Sequence, residues 1–294
     1  MGISRYPSYV SMPGAEKPYP PILDFLDQRF PRVGRATWEQ RMREGKVLDE
    51  AGTPITAATP YAPQKKLIYF REVEREPLIP LEEKILFHND ELLVACKPPF
   101  LPVTPSGPYV DECLLNRLRK KTGNSQLVPL HRIDRETSGL VLFSANRETR
   151  GRYGNLFLTG RIEKTYEALA EIVRRPRARV WTVENRLATA ETWFRSRVVA
   201  GAVNARSRIE LRSCSDRLAR FLLYPITGKK HQLRLHMSGL GFPILNDRYY
   251  PQLLSKQQDD LANPLQLIAR RVNFIDPVSG RSLEFESERT LLDA

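Results

Sequence analysis

Asp134 stands between Arg132 and Arg135 in the run His131-Arg132-Ile133-Asp134-Arg135-Glu136-Thr137-Ser138-Gly139, which leads into the apolar stretch LVLFSA. Guanidinium groups beside a carboxylate favour its ionised form. Such an aspartate suits a nucleophile or an electrostatic stabiliser at neutral pH and makes a poor general acid. Gly139 permits close backbone approach at the strand entrance, and Thr137 and Ser138 can hold the loop through local hydrogen bonds. A structural ion pair has the same local composition, so this segment alone does not separate chemistry from architecture.

A second run, Pro225-Ile226-Thr227-Gly228-Lys229-Lys230-His231-Gln232-Leu233-Arg234-Leu235-His236, is equally rich in donors. It is not a Walker A loop, because Leu223 stands where that motif needs its first glycine. On a helix beginning after Thr227-Gly228, His231 and Arg234 share a face, so Arg234 would reach a common site while Lys229 and Lys230 meet phosphates near the helix start. His231 and His236 would diverge by about 140° on that helix, unlike the i, i+4 pair that clamps zinc, and no metal is expected. A third run, Lys164-Thr165-Tyr166-Glu167-Ala168, puts Tyr166 on a strand face with small alanines. That leaves room for a flat base to stack, although ordinary core packing would produce the same pattern.

These residues need elements to position them. Alternation of Tyr166, Ala168, Ala170 and Ile172 predicts a strand over 164–173. Residues 139–145 read as a buried strand, ILFHNDELLVACKP as two strands about Asn89-Asp90, and 206–213 with 218–226 as a hairpin about Ser215-Asp216. Helices are predicted over 111–121, 147–158 and 229–239. The fold class is α+β: a large mixed, mostly antiparallel sheet flanked by helices over residues 81–294, preceded by a smaller domain.

Residues 1–21, with Pro7, Pro13, Pro18, Pro20 and Pro21, read as an extended arm. Residues 22–75 form a small module: a helix carrying Ile22, Leu26 and Phe30, a second carrying Trp38 and Met42, then strand-like pieces. Arg29, Arg32, Arg35, Arg41, Arg43 and Lys46 are expected to give it a basic surface. Charged and proline-bearing residues 76–80 read as the linker.

The formal net charge is +12, which favours a polyanionic partner. Cys96, Cys113 and Cys214 are isolated and odd in number, arguing against a disulfide scaffold or zinc site and for a reducing cytoplasm. No apolar run suits a signal peptide or a membrane span, so no membrane association is expected.

Taken together the segments resemble one family. HRIDRETSGLVLFSA is similar to the HRLDRxTSGLLLxA signature of the RluA-type pseudouridine synthases. ELLVACKPPFLPVTPSG resembles that family's KPxGxPVHP segment, EKTYEALAEI its KxYxA strand, and YPITGKKHQLRLHMSGLGFPILNDRYY its TGRxHQIRxHxxxxGxPIxGDxxY segment. All four occur in family order, and residues 22–75 resemble the S4-like RNA-binding module that precedes the catalytic domain in many members. Lys229, Asn246 and Phe100 depart from the family pattern.

The resemblance implies an isomerase that converts uridine in ribosomal or transfer RNA to pseudouridine, acting as a monomer without metal or cofactor. Asp134 would be the essential aspartate, Tyr166 would stack on the base and handle protons, and Arg234 would keep Asp134 ionised and placed. Leu233 would pack on the uracil and Arg132 would fill the space of the extruded nucleotide. His131, Arg135, Thr137, Lys229, Lys230 and His231 would complete the RNA-binding surface. The alternatives are a non-catalytic RNA-binding or ribosome-assembly protein retaining the fold, and a metal-dependent RNA hydrolase.

Overall fold

Within residues 1–21, expected as an extended arm, residues 8–11 are a strand. The computed structural model describes residues 2–4, 6–14, 19–31, 33–172, 175–255 and 258–292, so Pro18 and Arg32 lie outside the described residues. The chain divides into two compact units, Met1–Pro77 with Ser106–Asp111, and Leu78–Pro105 with Glu112–Ala294.

The first unit runs β1 (Gly2–Ile3), β2 (Ser8–Ser11), α1 (Ile22–Arg29), α2 (Arg35–Arg43), β3 (Val47–Leu48), β4 (Lys66–Tyr69) and β5 (Glu72–Val73). β4 is the centre of an antiparallel sheet with β2 and β3 at its edges, and β1 pairs with β5. Prolines fix an extended backbone and donate no hydrogen bond, which the flanks of an edge strand tolerate. That is why a proline-rich segment reads as an arm and yet buries Val10 and Met12 with Ile22, Leu26, Trp38 and Met42. Residues 106–111 return to this unit: the Glu76 carboxylate accepts the N–H groups of Val110 and Asp111 at 2.6 and 2.8 Å. The expected basic surface is narrower than its composition. Arg41 is buried with its guanidinium 5.1 Å from the Trp38 ring, and Lys46 binds Glu72 at 2.5 Å. Arg29 and Arg43 are exposed.

The second unit is built on one large sheet. Its strands are β6 (Lys84–His88), β7 (Leu92–Lys97), β8 (Val128–Pro129), β9 (Ser138–Ser144), β10 (Ile162–Glu171), β11 (Val180–Thr189), β12 (Ser196–Val199), β13 (Ala205–Cys214), β14 (Leu218–Pro225), β15 (Leu267–Ile275) and β16 (Ser282–Glu286). The helices are α3 (Leu114–Thr122), α4 (Arg150–Leu158) and α5 (Gln232–Gly239). The main path is β12-β11-β13-β14-β10-β15-β9-β7-β6. The expected pairs β6–β7 and β13–β14 are present and antiparallel. α3 ends at Gly123, whose φ of 72° gives the left-handed cap that glycine supplies.

Near the centre of the path, β15 joins the two halves. It runs antiparallel to β10 and meets β9 in parallel through only Ile268 opposite Ser138 and Ala269 opposite Gly139. A register shift follows at once, with Arg270 as the extra residue opposite the Thr165/Tyr166 step. A bulge bends a strand and re-aims its neighbours. This one lies where β10 presents Tyr166. The core on one face contains Ala168, Ala170, Ile172, Phe221 and Met237, with Tyr166 packed against it, as the alternation predicts.

Gly139 makes the parallel contact sterically feasible. Its φ is 107°, and a Cβ there would lie 2.7 Å from the Ala269 nitrogen, 2.9 Å from its carbonyl carbon and closer still to its oxygen. Gly139→Ala is therefore expected to lower unfolding free energy by about 2–4 kcal/mol. Gly154→Ala, in α4 with open space around the added carbon, should be neutral or stabilising by up to ~1 kcal/mol. Urea unfolding of both variants checks the pair.

Candidate active site

Three elements of the second unit deliver the expected residues: the loop entering β9 carries Asp134, β10 carries Tyr166 and α5 carries Arg234. Arg234 is 1% exposed. Its Nε and Nη2 donate to the two Asp247 oxygens at 2.8 and 2.6 Å. Its Nη1 points to Asp134 Oδ2 at 3.5 Å and to Glu136 Oε2 at 3.6 Å. The guanidinium carbon lies 4.6 Å from the Tyr249 ring centre and 5.6 Å from that of Tyr250. Burial works against the charge of Arg234, but the bonds to Asp247 and the fields of Asp134 and Glu136 outweigh it and raise its pKa. It is a permanent cation in a closed aromatic and acidic cage.

Asp134 differs from expectation in what surrounds it. Arg135 turns away to grip Asp259, with Nη1 and Nη2 donating at 2.6 and 2.9 Å, and its guanidinium lies 5.7 Å from the Phe100 ring centre. Arg132 is exposed. The charge next to Asp134 comes from Arg234, remote in sequence, the residue that the resemblance pairs with it. The Asp134 side chain keeps 24% of its surface exposed. Its pKa is nonetheless raised, because desolvation exceeds the opposing pull of Arg234, with Asp247 adding to the rise. The arginines adjacent in the chain are not among the main influences on it, contrary to the sequence reading: Arg135 is engaged by Asp259 and Arg132 is exposed.

Tyr166 sits in a small recess with His131, Leu140, Leu142, Lys164 and Ala269. Burial first, and the Asp134 charge second, raise its pKa. It therefore enters any reaction as a phenol that can donate. Leu233 is buried in the core face against which Tyr166 packs. Thr137 is buried.

His131 is used by the architecture. Its Nε2 accepts the Leu142 N–H at 3.1 Å and its ring stacks on Phe157 at 4.9 Å. Burial, then Lys164, lowers its pKa to about 3. His231 is delivered by a left-handed backbone with φ of 56°, ahead of a helix that begins at Gln232 and not at 229. The shared helical face expected of His231 and Arg234 is thus replaced by a turn, which still brings His231 Nε2 to 3.9 Å from Asp134 Oδ1. Lys229 and Lys230 are exposed, and Lys230 donates to the Trp193 carbonyl at 3.3 Å. Among the described residues no group of three His, Cys, Asp or Glu could hold a metal ion, and His236 Nε2 lies 3.2 Å from Asn185 Oδ1.

Reasoning from single segments missed several participants. Asp247 and Tyr250 lie in the family-like run PILNDRYY, so their motif was visible while their roles were not. Lys97, in the run KPPF, is fully buried and donates to the carbonyls of Pro98, Leu101 and Arg135 at 2.8, 2.8 and 2.9 Å. Three carbonyl acceptors demand the three protons of an ammonium, although burial, opposed by Glu136, pulls Lys97 down to about 7. Phe100 and Asn246, which stand where the family pattern has glycine, both keep a left-handed φ of 64°. The departures preserve the turns.

Residues 91–239 match the family model described as RNA pseudouridylate synthase, a segment that contains Asp134, Tyr166 and Arg234. The chain belongs to the RNA pseudouridine synthases of RluA type. It is 30% identical to the dual-specificity RNA pseudouridine synthase RluA of Pasteurella multocida, over 69% of this chain and 91% of that one. It is 29% identical to the ribosomal large subunit pseudouridine synthase C of Haemophilus influenzae, over 70% and 65%. The structure of human RNA pseudouridylate synthase domain containing 4 superposes with a TM-score of 0.54 at 26% identity, covering 69% of this chain and 87% of that chain. The synthase is thus an isomerase acting on RNA. Among its described residues no helix is long and apolar enough to cross a membrane.

The Lys97 cluster generates a prediction for the synthase. Lys97→Met removes the donor from three carbonyls, one of them in the loop of Asp134. The expected loss of stability is about 2–4 kcal/mol, with faster amide exchange over residues 132–138 than over β13. Hydrogen-exchange mass spectrometry measures both segments in one experiment.

Proposed function

We propose that the synthase isomerises uridines in structured RNA through the carboxylate of Asp134, with ribosomal RNA the favoured substrate and transfer RNA the second. The observation that carries the reading is the contact of Arg234 with Asp134 inside the cage made with Asp247. It holds a partly exposed carboxylate next to a fixed positive charge and within the field of a protonated tyrosine. In the isomerisation the N1–C1′ bond breaks, the uracil turns, C5 bonds to C1′, and the proton lost from C5 is balanced by one gained at N1. Atoms and electrons are conserved, so the reaction calls for neither metal nor redox cofactor. Asp134 either attacks C1′ or assists loss of the C2′ proton, both of which need it ionised. Tyr166 stacks on the base and donates, and Leu233 supplies the apolar wall.

The target must leave its stack, which costs a few kcal/mol and is cheapest in loops. Arg132, exposed at the mouth of the loop, suits the vacated space, and Lys229 with Lys230 suits the flanking phosphates. Residues 22–75 act as an S4-like RNA-binding module, supported by two helices, a short antiparallel sheet and exposed Arg29 and Arg43. The names of the two bacterial relatives, one dual-specificity and one ribosomal, support the order of substrates. The three thiols are free, in keeping with a cytoplasmic setting. A fold retained only for RNA binding would have no need of Asp134, Tyr166 and Arg234 together, and all three are present.

Unmodified ribosomal and transfer RNA transcripts, incubated with the protein in EDTA and mapped for pseudouridine, test the proposal. The wild type should modify discrete sites without cleaving the chain. Asp134→Asn should abolish turnover, by at least about 10³-fold, while RNA binding survives. Pseudouridine made by that variant would overturn the assignment. The pH profile offers an independent check. Because Asp134 titrates above the ordinary aspartate range and must be ionised, activity falls as pH drops through that raised value. Arg234→Gln removes the main influence that lowers it, so the acidic limb should move to still higher pH.

A further inference from the structure

The imidazole of His231 is held in one tautomer by Tyr250. The Tyr250 hydroxyl meets Ser196 N at 2.8 Å, Ser196 O at 3.0 Å and His231 Nδ1 at 2.9 Å. A phenol has one proton to give and two lone pairs. The Ser196 N–H donates into one lone pair, and the Ser196 carbonyl, which can only accept, takes the phenolic proton. The third contact is satisfied when His231 Nδ1–H donates into the remaining lone pair. Nε2 is then unprotonated, and it stands 3.9 Å from Asp134 Oδ1. Burial, with Arg234 and Lys230 next, pulls His231 down to about 3, so the ring is neutral at working pH. The left-handed backbone that carries the ring there is a conformation a non-glycine residue adopts at a cost.

Two acceptors therefore face the same small space. Neither can bond the other, and a donor from the substrate satisfies them. In the reading above the base is taken by Tyr166 and Leu233, which leaves the sugar beside Asp134. An Asp134 oxygen poised ~3–3.5 Å from C1′ leaves room for the hydroxyl on the adjoining carbon to come within hydrogen-bond reach, ~2.7–3.2 Å, of a nitrogen 3.9 Å from that oxygen. We propose that His231 Nε2 accepts a hydrogen bond from the ribose 2′-hydroxyl of the target nucleotide, seating the sugar against Asp134 and selecting RNA over DNA. The inference rests on the Asp134 reading and adds to it the group that recognises the sugar. Tyr250 is the positioning residue: without its hydroxyl, the imidazole proton can move to Nε2 and bond Asp134 directly.

A double-mutant cycle between protein and substrate tests this. The substrates are synthetic RNA hairpins carrying the uridine that the mapping identifies, made with uridine or with 2′-deoxyuridine at that one position. The proteins are wild type, His231→Phe, which keeps a ring in place of the imidazole, 5.5 Å from that of Tyr249, and Tyr250→Phe. On the ribose substrate His231→Phe should lower kcat/KM by roughly 10- to 100-fold. On the 2′-deoxy substrate it should lower it by no more than about 2-fold, because the hydroxyl it would have bound is already gone. Tyr250→Phe should show the same pattern with a smaller loss. In 15N NMR of the wild-type protein, His231 should carry its proton on Nδ1. Equal losses by His231→Phe on both substrates, full activity of His231→Phe on the ribose substrate, or a proton on Nε2 would each overturn the proposal. Asp134→Asn run on the ribose hairpin separates the two readings: turnover by that variant sinks the role of Asp134, whereas its inactivity with equal His231→Phe losses sinks only the role of His231.

Discussion

A guanidinium with almost no access to water, held by two carboxylate oxygens of Asp247 and turned toward Asp134, is the interaction on which the site depends. A buried charge is tolerable only when it is paired and hydrogen-bonded. Arg234 meets that condition through Asp247, not through Asp134, whose oxygen is farther away at 3.5 Å. The arrangement separates holding from reacting. Asp247 neutralises and orients the cation, and Asp134 stays incompletely satisfied and partly exposed. A carboxylate in a tight bidentate pair would be a weaker nucleophile and a poorer base.

Around that pair, opposing effects set the protonation of each group. Desolvation pushes Asp134 up while Arg234 draws it down, and the same desolvation, joined by the Asp134 charge, keeps Tyr166 a phenol. His131 and His231 are both driven to neutrality by burial. They are put to different ends, one as acceptor for the β9 backbone and the other beside the carboxylate. The outcome is one buried cation set among the carboxylates of Asp134, Glu136 and Asp247, with neutral donors and acceptors beside them, a preorganised field that need not reorganise as charge develops.

The scaffold holds this geometry at its most unusual joint. β15 is antiparallel to β10 along one edge and, over two residues of the other, parallel to β9, and the bulge at Arg270 and the glycine at 139 both lie at that crossing. The Asp134 loop enters β9 beside the crossing and Tyr166 leaves β10 beside it. Lys97 closes the arrangement by tying the carbonyl of Arg135 to those of the β7 exit loop. Rigid elements thus fix both side chains, as a site sensitive to small displacements requires.

The sequence by itself determined the elements and the chemistry. Period-two alternation placed Tyr166 with Ala168 and Ala170 on one face, turn residues marked the hairpins, and family-like motifs supplied Asp134, Tyr166 and Arg234 in order. These are local signals, and local sterics and hydrophobic burial write them directly into residue order. What sequence reasoning misassigned is what depends on neighbours distant along the chain. Arg132 and Arg135 flank Asp134 in sequence, but a loop can aim successive side chains apart, and the cation facing Asp134 is Arg234, which the family resemblance paired with it and the local composition did not. The arm at the N-terminus became an edge strand because its partner, β4, lies far along the chain at Lys66–Tyr69. β15, which lies beyond the last of the family-like runs, took a place near the middle of the sheet because strand order follows from the whole fold. The tautomer of His231 was likewise decided only by tertiary structure, since it requires a phenol and a backbone carbonyl from two other segments to meet at one point.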